Sequence, residues 1–391
     1  MCGAIRGMTQ KYVWQQIAPG QHWIDHITFN AEELIEPVGA CRFLQGKLSS
    51  YMEDLRYEDR LKTFADILTE EVLATSEIAG EQLTPQLANF SVVIRLGIAG
   101  PDLPEAQSRY ADGVVRAFMD AISNNQEPLT AQRLKAWQTA LFPGGTSVLN
   151  PVAVGQWRTA PPQDIRGAGV FQAPLQAPPP DRLEEEVTHF LRWFESSKGQ
   201  GDGILRAALA HFWFMTIRPF ADGNGRIARI LTEMALTQDD GQDLRFFSLS
   251  PQIMINREDY VDLWAKIQTG GGDITAWLRW FCDIVQRSLK ASEKILESTL
   301  QRSRFWTRSR ALDLTERQRK VVTELFRVGP GGVAGGLTNK KYASMAGVSR
   351  QTAQRELADL VKKGVLYTSG AGRSVKYGIT IWQEREAERA L

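Results

Sequence analysis

Cysteine and histidine are scarce in this chain, with three and four residues respectively among 391. The cysteines, Cys2, Cys41 and Cys282, are far apart, a spacing that favours neither a disulfide framework nor a zinc site. No apolar run approaches the roughly 18 residues that a membrane span needs, and the N-terminus lacks an apolar signal core. We therefore expect a cytoplasmic protein with no membrane partner.

A strong charge of either sign is also absent. The 46 basic and 45 acidic residues give a net charge of +1, so any nucleic-acid-binding surface has to be a local basic patch. Hydrophobic residues make up 43% of the chain and charged residues 23%, as in ordinary globular proteins. The length allows two or three domains.

The most informative stretch runs from 203 to 229. Residues 203–217 are almost all apolar or small, which predicts a buried helix. Pro219 disfavours helical backbone at Arg218, and residues 222–225 (Asp-Gly-Asn-Gly) are typical of a turn. Apolar residues then recur at helical spacing from Ile227, which predicts a second helix.

This order of elements suggests an anion site. Glycines let backbone N–H groups approach a ligand, and the second helix directs its free N–H groups and positive dipole end at the loop. Arg226 and Arg229 project to one side of that helix. The alternative is a structural corner between two helices that carries two solvated arginines.

Residues 218–229 resemble the signature of the Fic family, His-x-Phe-x-(Asp/Glu)-Gly-Asn-Gly-Arg-x-x-Arg, at every fixed position except the first. The resemblance implies transfer of AMP from ATP to a protein hydroxyl. It assigns Asp222 to Mg²⁺, which usually binds through one or two carboxylates and phosphate oxygens. It assigns the phosphates of ATP to Gly223, Asn224, Gly225, Arg226 and Arg229.

The first position of the signature is the departure. The family has a histidine there, the general base that takes the proton from the target hydroxyl, whereas this chain has Arg218. A guanidinium has a pKa above about 12 and does not accept a proton near pH 7. Because loss of a general base costs about 10²–10⁴ in rate, we expect impaired transfer.

Residues 1–95 are expected to form a helical cap. Residues 75–80 resemble the family's inhibitory helix, (Ser/Thr)-x-x-x-Glu-(Gly/Asn), whose glutamate pairs with the second signature arginine, here Arg229. Thr75 and Gly80 match this pattern, but Ala79 stands at the glutamate position. The alternative is a cap with a purely structural role.

Residues 96–295 are expected to form the Fic-like nucleotide-binding domain. A strand-like run at 152–158, followed by a Pro/Gly-rich tract, predicts a β-hairpin flap. In the family such a flap binds the target protein by strand addition, here over residues 152–172. A structural surface loop is the alternative.

Residues 296–312 are expected to form a linker helix, and 313–391 resemble a winged helix-turn-helix. Residues 339–376 hold eight basic and two acidic side chains, a local charge of +6 that favours DNA as a partner. The second helix of the motif would read base edges. The candidate DNA contacts are Arg350, Gln351, Thr352, Gln354 and, at the wing tip, Arg373. The alternative use of this fold is protein packing.

Together these patterns predict a mainly α protein: a Fic-like helical core with a β-hairpin flap, an N-terminal helical cap and a C-terminal winged helix-turn-helix. The favoured function is that of a protein adenylyltransferase using ATP and Mg²⁺, impaired at Arg218. The alternative is a non-catalytic nucleotide-binding regulator that contacts DNA. The sequence allows a homodimer but does not specify one.

Overall fold

The computed structural model describes residues 12–15, 22–98, 108–147, 150–161, 177–242, 244–328, 336–370 and 375–381. The chain is mostly helical, which confirms the predicted class. Fourteen α-helices lie in the described residues, in this order: α1 Glu32–Glu53, α2 Tyr57–Ile78, α3 Pro85–Arg95, α4 Arg109–Ser123, α5 Ala131–Leu141, α6 Leu183–Ser196, α7 Gly203–Ile217, α8 Asn224–Asp240, α9 Ser250–Ile255, α10 Arg257–Gln268, α11 Thr275–Arg308, α12 Glu316–Val328, α13 Asn339–Ala346 and α14 Arg350–Lys362.

Four short strands form two antiparallel pairs in the described residues. In chain order they are β1 Thr146–Ser147, β2 Asn150–Pro151, β3 Leu366–Ser369 and β4 Lys376–Ile379. None of the helices in the described ranges is long and apolar enough to cross a membrane.

The chain divides into two compact units. The first comprises residues 1–50 and 60–293, and the second comprises 51–59 and 294–391. Helix α11 runs without a break from the first unit into the second. It contains neither Gly nor Pro, so nothing in its sequence ends the helix between the predicted core and the predicted linker.

Helix α7 lies at the centre of the first unit. Nearly all of its side chains are buried, as its apolar sequence predicts. Asp202 caps its N-terminus by accepting hydrogen bonds from the N–H groups of Ile204 and Leu205 (2.9 and 3.2 Å). Helix α8 packs against α7, and α4 packs against α8. The connection between α7 and α8 therefore lies beside the core of the unit.

The N-terminal residues belong to this same unit. The indole N–H of Trp23 donates to the buried carboxylate of Glu186 on α6 (2.7 Å), and the backbone N–H of Thr28 donates to the carbonyl of Gly272 (3.0 Å). On α1, the thiol of Cys41 donates to the carbonyl of Cys282 on α11 (3.3 Å). The N-terminal residues are thus packed on α6, on α11 and on the segment just before α11.

The predicted strand over 152–158 is wrong. Strand β2 ends at Pro151, and the described residues that follow it, 152–161, form no strand. Their backbone groups bond to other elements: the N–H of Gly155 donates to the Gln138 side chain (2.7 Å), and the N–H of Arg158 donates to the carbonyl of Pro219 (2.9 Å). The remainder of the predicted flap, 162–172, lies outside the described residues.

The second unit has its own apolar core, built from α12, α13, α14 and the β3–β4 hairpin. Gly347 ends α13 in left-handed backbone (φ 64°), and Ser349 caps α14 by accepting from the N–H of Thr352 (3.1 Å). Helix, glycine turn, helix and hairpin follow in the predicted order. That this unit is a winged helix-turn-helix remains a prediction.

Candidate functional site

Helix α7 ends at Ile217, and Arg218 turns the chain into left-handed backbone (φ 44°, ψ 66°). It is the only non-glycine residue with positive φ among those the structure describes. Left-handed backbone costs a branched or long side chain roughly 1–2 kcal/mol, so the surroundings have to impose it. The turn separates the central helix from the loop that carries the signature.

Arg158 holds this turn. Its guanidinium donates to the carbonyls of Arg218 (Nε, 2.7 Å) and Ile217 (Nη2, 3.3 Å), and also to that of Pro178 (Nη2, 2.5 Å). These bonds satisfy carbonyls at the end of α7 that have no partner within the helix. The sequence had placed Arg158 in a strand, and no local signal identified this contact.

The Asn224 side chain closes the loop between the two helices. Its Oδ1 accepts from the Phe220 N–H (3.0 Å), and its Nδ2 donates to the Phe220 carbonyl (2.8 Å). The Phe220 ring is fully buried, with its centroid 4.8 Å from that of Trp157. The loop is therefore held from both sides, by its own asparagine and by the core.

Gly223 begins α8 with positive φ (89°), and no side chain in the described residues caps the helix. A Cβ at this position would lie 2.9 Å from the Phe142 ring, so glycine is required by both conformation and space. The first N–H groups of α8 are left without a side-chain acceptor. Together with the helix dipole, they form the kind of site that binds phosphate.

Asp222 lies at the edge of this site. Its side chain is 45% exposed, its Oδ1 accepts from the Gly223 N–H (2.5 Å), and that same oxygen is 3.9 Å from Arg226. A half-exposed carboxylate beside a phosphate cradle fits Mg²⁺, which takes few protein ligands and binds mainly phosphate and water oxygens. The described residues contain no cluster of three or more acidic, His or Cys side chains that could hold a metal without a nucleotide.

The Arg218 guanidinium is buried away from solvent. Its Nε donates to the carbonyl of Met215 (3.1 Å), and its Cζ lies 5.0 Å from the Trp264 ring centroid. Burial lowers its pKa to about 10, which leaves it protonated at neutral pH. Its Nη2 has no hydrogen-bond partner among the described residues. Arg218 is thus a buried cation and not a proton acceptor.

The two signature arginines, Arg226 and Arg229, are buried as well. Arg229 is hydrogen-bonded directly to α2, and Arg226 is connected to α2 through Tyr110. Arg229 donates to Thr75 twice, from Nε to Oγ1 (2.6 Å) and from Nη2 to the carbonyl (3.1 Å). Arg226 lies over the Phe142 ring at 4.6 Å and donates to the Tyr110 hydroxyl (3.4 Å), which in turn donates to Ser76 (3.1 Å). The Thr75–Ser76 pair therefore connects to both arginines.

Ala79 and Gly80 lie just beyond the end of α2, which stops at Ile78. Gly80 has positive φ (80°), and the N–H of Glu81 donates to the carbonyl of Ser76 (3.0 Å), as is usual at a helix C-terminus. Of the three positions predicted in the inhibitory segment, Thr75 is the one that forms hydrogen bonds with Arg229. The inhibitory role of the segment stays a prediction.

His211, two turns before Arg218 on α7, is buried between helices. Its Nδ1 is 3.0 Å from Thr232 Oγ1 on α8, and its Nε2 is 3.1 Å from the Tyr260 hydroxyl on α10. Burial and the positive charge of Arg229 lower its pKa to about 3, so the ring is neutral at pH 7. Its contacts are structural, as expected for a histidine inside a helix bundle.

In the second unit, Arg350, Gln351 and Gln354 are exposed on the first half of α14, whereas Thr352 is partly buried against Ser349. Arg373 lies outside the described residues. Their assignment to DNA binding remains a prediction.

Comparison with known proteins places residues 128–236 in a family model described as "Fic/DOC family" and residues 12–98 in one described as "Domain of unknown function (DUF4172)". Among curated proteins, the chain is 30% identical over 131 residues to "Protein adenylyltransferase Fic" of Nematostella vectensis. It is 31% identical over 123 residues to "Uridine 5'-monophosphate transferase" of Xanthomonas campestris pv. campestris.

These alignments are partial. The first covers 32% of this chain and 28% of the relative, and the second covers 28% and 21%. Among solved structures, a Fic family protein from Desulfovibrio desulfuricans G20 matches 89% of this chain and 96% of its own, with a TM-score of 0.53 and 17% identity. At that identity the match supports a common fold.

Proposed function

We propose that this chain binds a nucleoside triphosphate with Mg²⁺ at the α7–α8 loop and that Arg218 has silenced its nucleotidyl transfer, since residues 128–236 match the Fic/DOC family model. The observation that carries the proposal is the loop itself. Gly223 and Asn224 fold the backbone into an uncapped helix start, Asp222 is accessible at its edge, and Arg218 is buried and protonated.

In the reaction of the relatives' named class, a target hydroxyl attacks the α-phosphorus of the nucleotide. The new O–P bond forms as the bond to pyrophosphate breaks, and the hydroxyl proton has to leave. In this chain the helix N-terminus, Arg226 and Arg229 would stabilise the phosphate charges. No proton acceptor stands at position 218. We therefore expect this chain to bind the nucleotide strongly and to transfer the nucleotidyl group weakly.

The choice of nucleotide is open between adenosine and uridine, since the two relatives carry different names. Isothermal titration of the full chain with ATP and with UTP, with and without Mg²⁺, tests binding. We expect Mg²⁺-dependent binding of at least one nucleotide and loss of the Mg²⁺ dependence in Asp222→Asn. A control, Asp283→Asn, removes an exposed carboxylate of α11 and should leave binding unchanged. No binding of either nucleotide would refute the proposal.

The second candidate function is DNA binding by the second unit, and it rests on how the charges of α14 are arranged. Its acidic residues have partners: Glu356 accepts from Arg317 (2.8 Å) and Tyr342 (2.8 Å), and Asp359 accepts from Lys363 (2.6 Å). Arg350 and Arg355 are exposed on the same helix. The exposed part of α14 therefore presents net positive charge at the place where a recognition helix meets phosphates and bases.

Fluorescence anisotropy with a labelled duplex, measured across a series of salt concentrations, tests this function. We expect Arg350→Ala/Arg355→Ala to weaken binding and to lower the salt slope by about one to two. A charge-matched control, Arg279→Ala/Arg287→Ala, changes exposed arginines of α11 in the first unit and should leave the slope unchanged. Equal slopes for both variants would rule out α14 as the DNA surface.

A further inference from the structure

Helix α1 carries an exposed apolar stripe formed by Ile35, Gly39, Phe43 and Gly46. The spacing of four, four and three residues puts all four positions on one face of the helix. Ile35 and Phe43 are each 72% exposed, the highest values among the large exposed hydrophobic side chains that the structure describes. Leu34, Cys41, Leu44 and Leu48, on the opposite face, are buried in the first unit.

The two glycines of the stripe have no explanation inside the unit. A Cβ added to Gly39 or Gly46 would meet no described atom within 4 Å, and neither residue has positive φ. Glycine in the middle of a helix is less favourable than alanine, so an open glycine weakens α1 without relieving any contact. The absence of a side chain at Gly39 and Gly46 would let another chain approach α1 closely.

We propose that the α1 stripe is a self-association surface, on which α1 of a second copy packs antiparallel around a two-fold axis. Large and small residues alternate along the stripe, so Phe43 of each copy fits over Gly39 of the other. The same register sets Ile35 beside Gly46 of the second copy. A two-fold axis requires such self-complementarity, in which each contact occurs twice.

The charges on α1 fix the antiparallel direction. Glu32, Glu33 and Glu36 lie in the first turns, and Lys47 lies near the other end. In the proposed register Glu36 lies beside Lys47 of the second copy, whereas a parallel pair would place the glutamates together. Lys47 is partly exposed and already pairs with Glu293. The carboxylate of Glu36 from the second copy would therefore extend an existing ion pair.

One helix pair buries less surface than the roughly 1,200 Å² at the lower bound of stable interfaces, so the dimer should be weak and its dissociation constant should lie in the micromolar range or above. Sedimentation equilibrium of the full chain between about 1 and 300 µM measures it. We expect Phe43→Glu to weaken dimerisation at least about tenfold. Ile255→Glu, which changes a similarly exposed residue of α9, is the matched control and should not.

Two further variants test whether the α1 stripe mediates self-association or is only an exposed part of the surface. Gly39→Ala should raise thermal stability, because alanine favours a helix, and it should also weaken dimerisation. If Gly39 only served the fold of its own chain, the two effects would not occur together. Glu36→Lys should weaken the dimer, and adding Lys47→Glu should restore it, because the swap re-forms the pair only between antiparallel copies. A monomer at every concentration, equal effects of Phe43→Glu and Ile255→Glu, or no restoration by the swap would overturn the proposal.

Discussion

At the scale of single residues, the proposed function depends most on position 218. The backbone there is left-handed, a conformation in which histidine is more common than most other residues. Arg218 is held in it by the bonds of Arg158 to the neighbouring carbonyls, and its side chain stacks on Trp264. The residue at the start of the loop is therefore a buried cation held in a left-handed turn, and in the proposed function it stands where a base would be needed.

Thr75 gives the first prediction at this scale. Its hydroxyl accepts from the buried Nε of Arg229, so Thr75→Val leaves a charged donor unpaired. We expect a loss of about 1–3 kcal/mol in the free energy of unfolding, measured by urea denaturation. Thr75→Ser keeps the hydroxyl and should lose much less. A smaller loss in Thr75→Val than in Thr75→Ser would mean that the methyl group, which valine keeps and serine lacks, stabilises the fold more than the bond to Arg229.

Some site residues could be predicted from the sequence and others could not. The loop from 218 to 229 was recognisable because its glycines, asparagine and arginines are adjacent in the chain. Arg158 and Tyr110 were not, because each bonds to the loop or its arginines across many residues. The inhibitory pattern drew attention to Ala79, but the residue that meets Arg229 is Thr75, four positions earlier.

At the scale of elements, the packing of α7 against α8 positions the loop, and Trp264 of α10 lies against the Arg218 side chain at its start. His211 links the three helices through Thr232 and Tyr260. The helices themselves were predictable from apolar periodicity. The strand predicted at 152–158 was wrong because its backbone groups find tertiary partners, Gln138 and Pro219, that the local pattern does not reveal.

The pH dependence of stability tests the role of His211. Its folded-state pKa, about 3, lies below the ordinary value of 6.5, so between these values the unfolded chain binds a proton that the folded chain does not. Stability should therefore fall as the pH is lowered below about 6.5, by about 1.4 kcal/mol per pH unit from this group.

His211→Gln removes the titrating group and can still bond to Tyr260 or Thr232. The difference between the unfolding free energies of the parent and this variant, measured by urea denaturation from pH 7 to 4.5, should change with that slope. A difference that is constant across the range would show that His211 is protonated equally in both states.

The whole chain divides into two compact units, and helix α11 contributes residues to both. The first unit contains residues 128–236, which match the Fic/DOC family model, and the N-terminal segment whose Thr75 and Ser76 connect to both signature arginines. The second carries the exposed basic residues of α14. The pairing of distant segments could not be derived from local sequence, because it depends on tertiary packing.

Transfer of labelled nucleotide is the most direct test of the central claim. The full chain and Arg218→His are each incubated with Mg²⁺, a cell lysate, and ATP or UTP labelled at the α-phosphate. We expect the histidine variant to label protein about 10²–10⁴ times faster than the parent, since a positioned base contributes that much. Arg218→His/Asp222→Asn, which lacks the proposed Mg²⁺ ligand, should lose the gain. Equal labelling by the parent and Arg218→His would contradict the account, because another group would then supply the base.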